Sequence, residues 1–168
     1  VDACADSCDE ALTQAEDMTV RYCGRKVVPD WVTVCVPPQV ARSYPIVVRR
    51  HRRDSASEIS PQELSSLLKL GYRTAQDEIG AAAENPGEDF VFGSLCEVAI
   101  DDRVAVDPLG LHGEEIQAKL DFYRLPLEWI RALEVVADRL GLRVRSIVPQ
   151  QAAYAAPIDD PLSLLVVI

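Results

Sequence analysis

A chain of 168 residues with 48% hydrophobic content is long enough for one ordinary domain, or two small subdomains, built around real cores. The net charge of -10 excludes general nucleic-acid binding, which needs clustered Lys and Arg to neutralise phosphates. No run approaches the length of consecutive apolar residues that a membrane-spanning helix needs, and acidic residues rather than a basic and apolar leader follow Val1.

The missing initiator Met is read as the mark of a processed or excised segment. Five cysteines, Cys4, Cys8, Cys23, Cys35 and Cys96, form an odd, scattered set without a CxxC pair, so a reduced cytoplasmic setting is expected rather than a disulfide framework. One basic cluster, Arg49, Arg50, His51, Arg52 and Arg53, stands out against the acidic balance.

In chain order, the first expected element is a helix over Asp2–Tyr22. Ala3, Cys4, Cys8, Ala11, Leu12, Ala15 and Thr19 would form its apolar face, and Gly24 its stop. WVTVCV, Trp31–Val36, is a β-rich apolar run that reads as a buried strand ended by Pro37-Pro38. A second strand is expected at Ile46–Arg50. Ser60-Pro61-Gln62-Glu63 is a helix start in which Ser60 caps, Pro61 suits the first position and Glu63 reaches back to the cap amide. That helix would bury Leu64, Leu67, Leu68, Tyr72, Ala75 and Ile79 and end near Ala83, before Asn85-Pro86-Gly87.

A strand over Phe90–Ile100 would place Phe90, Phe92, Cys96, Val98 and Ile100 on one side. Asp101-Asp102 turns the chain into a short return strand, Arg103–Val106, and a Pro108–Gly113 loop leads into the strand Glu115–Arg124. Pro126 opens a helix with Leu127, Ile130, Leu133, Ala137 and Leu140 inward and Gly141 as C-cap. A strand over Leu142–Val148, a short helix over Gln150–Ala156 and a buried strand over Leu162–Ile168 complete the chain. The expected fold class is α/β: residues 1–42 and 126–168 form one interrupted layer, and 43–125 form an inserted α+β unit.

The stretch VDPLGLHGEEIQAKL, Val106–Leu120, resembles a segment of the bacterial actin-like cell-division family FtsA. There a hydrophobic-Pro-Leu/Ile-Gly loop leads, after a Gly, into a strand reading roughly L-E-A-K-V. Other segments fall in the same order. Ala11–Met18 is similar to the family's helix before its inserted subdomain, and Glu58–Leu64 to its E-I-T-x-E-D-V helix start. Leu140–Tyr154 is similar to its G-L-K-V-x-x-I-V segment, and LSLLVVI, Leu162–Ile168, to the strand before its second phosphate loop. The chain departs from the pattern at Val36–Ser43, where the family often has V-x-I-S-G-S-H-I, and in the short Pro157–Pro161 linker.

The resemblance implies part of an actin-like, ribonuclease H-like subdomain 1A interrupted by the strand-helix-strand-strand subdomain 1C. It also implies that ATP and magnesium belong to the full-length protein, through D-I-G-T and D-I-G-G-G-T loops lying outside these residues. The segment itself is expected to need no cofactor and to perform no catalysis. The implied partners are divisome proteins and further copies of the chain. FtsZ and the membrane are reached only through other parts of the protein, at the cytoplasmic face of the cell membrane.

Cysteine-histidine catalysis would need a thiolate beside a base, and His51 and His112 sit in an arginine run and a turn. Cys4 and Cys8, one helical turn apart, lack a third metal ligand nearby in sequence. Asp101-Asp102 and Asp159-Asp160 are explained by turn chemistry more simply than by acid/base work. The candidate contact residues are therefore Pro108, Leu109, Gly110 and Leu111, which form an apolar loop tip. Ile46, Val48, Arg49 and Arg50 join them on a strand able to accept a partner strand or an acidic surface. The expected function is non-catalytic protein interaction within an FtsA-like protein. The alternatives are a PilM-type actin-like protein of pilus assembly and a small cytoplasmic enzyme using Cys or His.

Overall fold

The computed structural model describes residues 2–82, 87–155 and 165–167. In chain order its elements are α1 (Asp2–Cys23), β1 (Trp31–Val36), β2 (Arg42–His51), α2 (Pro61–Ala82), β3 (Glu88–Ile100) and β4 (Arg103–Ala105). There follow β5 (Glu115–Pro126), α3 (Leu127–Arg139), β6 (Arg143–Pro149), α4 (Gln150–Ala155) and β7 (Leu165–Val167). The protein is a mixed α/β chain with both parallel and antiparallel strand pairs. It divides into two compact units, Val1–Val40 with Leu125–Ile168, and Ala41–Arg124. The helix and strand ends expected near Ala83, over 156–164 and at Ile168, with the Asp159-Asp160 pair, lie outside the described residues.

The first unit is organised around β1, the middle strand of the parallel sheet β6-β1-β7. A middle parallel strand is covered on both faces, so it needs a continuous apolar run rather than alternation. Val34, Cys35 and Val36 are accordingly all buried. α3 ends in a Schellman motif: Gly141, at φ +69°, donates to the Asp138 carbonyl (3.0 Å), and Leu142 donates to Ala137 (2.9 Å). The chain thus reverses within two residues and delivers buried Leu142 to the start of β6.

α1 stops where expected, with Gly24 at φ +69° donating to the Val20 carbonyl. Its covered face differs from the expectation. Ala5 is buried, Cys4, Cys8, Leu12, Ala15 and Thr19 are half-buried, and Ala3 and Ala11 are exposed. At 3.6 residues per turn Ala3 lies across the helix from the stripe through Cys8 and Leu12, and Ala11 lies at its margin.

The second unit is a sheet of order β2-β5-β3-β4 with α2 packed on one face. β5 carries the core by strict alternation: Ile116, Ala118, Leu120 and Phe122 are each at most 3% exposed. Opposite them β2 turns Ile46 and Val48 inward and Val47 outward. From α2 come Leu67 and Ala75, both fully buried, and Ile59 just before the helix. Burying a side chain such as Leu67, Ile116 or Leu120 contributes about 1.5–3 kcal/mol each.

Gly71 explains how α2 comes so close to β5, because a Cβ there would overlap the Leu120 side chain. Pro45 sits inside β2, opposite Asp121. It is tolerated because β2 is an edge strand, where a missing N–H costs no ladder bond.

β3 corrects the sequence reading. Phe90 stacks edge-to-face on Phe122, whereas Phe92 contacts Tyr123. Neighbouring residues of β5 face opposite ways, so Phe90 and Phe92 lie on opposite faces although they are two apart. The alternation slips between them, Cys96 is exposed, and only Phe90, Val98 and Ile100 join the core cluster. The Asp101-Asp102 turn has both residues at positive φ, 46° and 63°, which is the two-residue type I′ hairpin.

Candidate interaction surfaces

The Pro108–Leu111 loop is a type II turn. Gly110 takes the positive φ (+75°) that the third turn position requires, and Leu111 N–H donates to the Pro108 carbonyl at 3.3 Å. Asp107 braces its start by accepting the Leu109 N–H at 3.1 Å. The loop is bonded in both directions to the segment before α2. Gly110 N–H donates to the Ile59 carbonyl (3.0 Å) and Ile59 N–H donates to Leu111 (2.8 Å). With its backbone so held, the turn leaves Leu109 46% and Leu111 44% exposed.

Arg52 fastens this corner. Its side chain is 3% exposed and its guanidinium grips both carboxylate oxygens of Glu63, at 2.9 and 3.1 Å. The remaining N–H groups reach the Ser57 carbonyl and hydroxyl and the Gly113 carbonyl. One planar fork therefore ties the 54–57 turn, the first turn of α2 and the end of the Pro108–Gly113 loop together. Asp101 holds the same loop from the hairpin side, accepting N–H bonds from Glu114 (2.9 Å) and Glu115 (2.8 Å).

This arrangement revises two expectations. The basic run, which as a sequence reads as a solvated strand end or a contact for an acidic partner, holds one structural member, Arg52. Glu63 does not complete a capping box: Ser60 Oγ accepts the Glu63 N–H at 3.2 Å, but the Glu63 carboxylate is turned to Arg52. A buried guanidinium beside the helix start is the stronger attraction.

The β2 candidates separate by face. Ile46 and Val48 are 5% exposed and point into the core, so neither side chain can meet a partner; only their edge backbone can. Arg49 is exposed and lies 3.5 Å from Glu115 across the ladder, while Arg50 donates to Ser66 Oγ. Neither side chain bonds to the Pro108–Leu111 turn.

The sulfur and imidazole groups are dispersed. Burial, with Cys4 alongside, pushes the Cys8 thiol up from its usual range, and burial does the same for Cys35 in β1. Both are held as thiols at neutral pH, the form that is neither nucleophile nor ligand. Among the described residues no three His, Cys, Asp or Glu side chains gather in a metal-binding group. Burial, helped by Asp121, pushes the Tyr123 hydroxyl up to about 12.

One feature escaped the sequence reading. Along the exposed side of α2, a groove of about 470 Å³ runs between the helix and β3, floored by the rings of Tyr72, Phe90 and Phe122. Tyr72, which helical spacing places on the buried face with Leu68, is 36% exposed at this groove. The sequence matches no known protein family and no curated protein, so the likeness to FtsA rests on the motifs quoted above.

Proposed function

We propose that this chain is a non-catalytic protein-interaction segment of an FtsA-like actin-family protein, with Ala41–Arg124 as its inserted 1C-type subdomain. The observation that carries the interaction reading is the rigid display of Leu109 and Leu111. A turn that merely reverses the chain gains nothing from exposing two leucines, whereas a pre-ordered apolar tip loses little entropy on binding. The more specific reading is supported by the order of motifs along the chain and by a strand, helix and three further strands between two segments that share one parallel sheet. The Pro-Leu-Gly-Leu turn favours the cell-division family over its pilus-assembly relatives. On this reading the parent protein binds ATP elsewhere, works at the cytoplasmic face of the membrane, and reaches FtsZ through other subdomains.

The coding sequence on either side tests the family assignment. A D-I-G-T loop upstream and D-I-G-G-G-T directly after Ile168 are expected; a different flanking motif on both sides would remove the cell-division reading.

A further inference from the structure

β3 is an inner strand of its sheet that is covered along only part of one side. It has 13 residues, and β4 pairs only with Val98, Ala99 and Ile100 at its end. β5 takes the other side, so residues 88–97 offer a row of backbone groups with no strand beside them among the described residues. Such a row is a template for one more strand. At its start the Phe90 N–H donates to the Asp89 carboxylate at 2.7 Å.

The aromatic groove opens along this same stretch. Val91, Phe92 and Gly93 of β3 form one wall and α2 the other, with Lys69 and Arg73 on the rim. Neither cation forms an ion pair with a described residue, although the chain as a whole carries -10. We propose that the β3 edge and this groove bind an extended acidic segment of a partner protein as an added strand. Side chains on the α2-facing side of that strand would enter the groove, apolar ones over Tyr72 and Phe90 and carboxylates beside Lys69 and Arg73. A second copy of this chain fits poorly. Antiparallel self-pairing centred on Gly93 sets Asp89 against Glu97 of the other copy, like charges directly opposed. This surface shares no residue with the Pro108–Leu111 turn and does not rest on the function proposed above.

Short random peptides displayed on phage, selected against the intact chain, provide the probe. The expected winners carry an apolar residue and an Asp or Glu two positions apart, so that both face α2, and on binding they shift and protect amides within 88–97. Lys69→Glu/Arg73→Glu, both exposed positions, weakens them on the order of tenfold or more, while Leu109→Asp leaves them unchanged. Selected peptides without acidic enrichment, amide changes confined to other elements, or affinity untouched by the double charge reversal would overturn the proposal. Protection of the 88–97 amides in the free chain that disappears on dilution would assign the edge to a second copy instead, and would overturn it equally.

Discussion

Arg52 shows how one residue decides whether a loop is a surface or a fluctuation. Its bonds to Glu63, Ser57 and Gly113 are made where solvent cannot replace them. Glu63→Ala leaves a buried guanidinium without its carboxylate and is expected to cost about 3 kcal/mol in urea unfolding. Arg49→Ala, which breaks only the exposed pair with Glu115, should stay under about 1 kcal/mol. Faster amide exchange at Ile59 and Gly110 in the Glu63 variant would show that the loop loosens with the clamp. Tyr123 offers a second residue-level test. Its folded pKa of about 12 lies above the unfolded value near 10. The neutral phenol is therefore favoured by the fold, and its contribution is complete below about pH 10 and lost as pH rises through 12. Phenolate absorbance should show a step near pH 12 that Tyr123→Phe removes. A Tyr123→Phe titration curve that overlays the wild type would contradict the burial of that hydroxyl.

At the scale of elements, α2 and β3 mark where sequence patterning succeeds and where it stops. The helix start was legible because Ser60-Pro61 is a local signal that acts within one turn. The core positions of β5 were legible because alternation maps directly onto a pleated strand. The slip in β3 was not, because nothing local says which of Phe90 and Phe92 meets Phe122 and which Tyr123; the cross-strand partners decide it. Glu63 was misread for the same reason. Its local role as a capping residue lost to a tertiary partner eleven positions upstream in sequence. Gly71 gives the sharpest test at this scale. Gly→Ala inside a helix ordinarily gains about 0.5–1 kcal/mol. Here the new methyl meets Leu120, and Gly71→Ala is expected to destabilise by about 1–3 kcal/mol in chemical denaturation. A stabilised variant would mean that α2 does not pack on β5 as closely as described.

For the whole molecule, the two units divide the labour of the chain. Val1–Val40 with Leu125–Ile168 is a parallel layer whose middle strand is largely apolar and buried over Val34–Val36, and Ala41–Arg124 carries the turn, the clamp and the aromatic groove. The contact tip was legible in sequence as Pro-Leu-Gly-Leu between glycines. Its support was not, because Arg52, Ile59 and Asp101 are brought to it only by the fold. Likewise Ile46 and Val48 were legible as strand residues, while the side to which each side chain turns is set by the ladder with β5. The central claim is that Leu109 and Leu111 form a pre-ordered contact. Isothermal titration with the cytoplasmic segments of the division membrane proteins encoded in the same genome tests it most directly, comparing the native chain with Leu109→Asp/Leu111→Asp. Binding of one segment, weakened about tenfold or more in a variant whose unfolding midpoint is unchanged, is the predicted result. Equal affinity in both proteins, or no binding of any segment by the native chain, would contradict it.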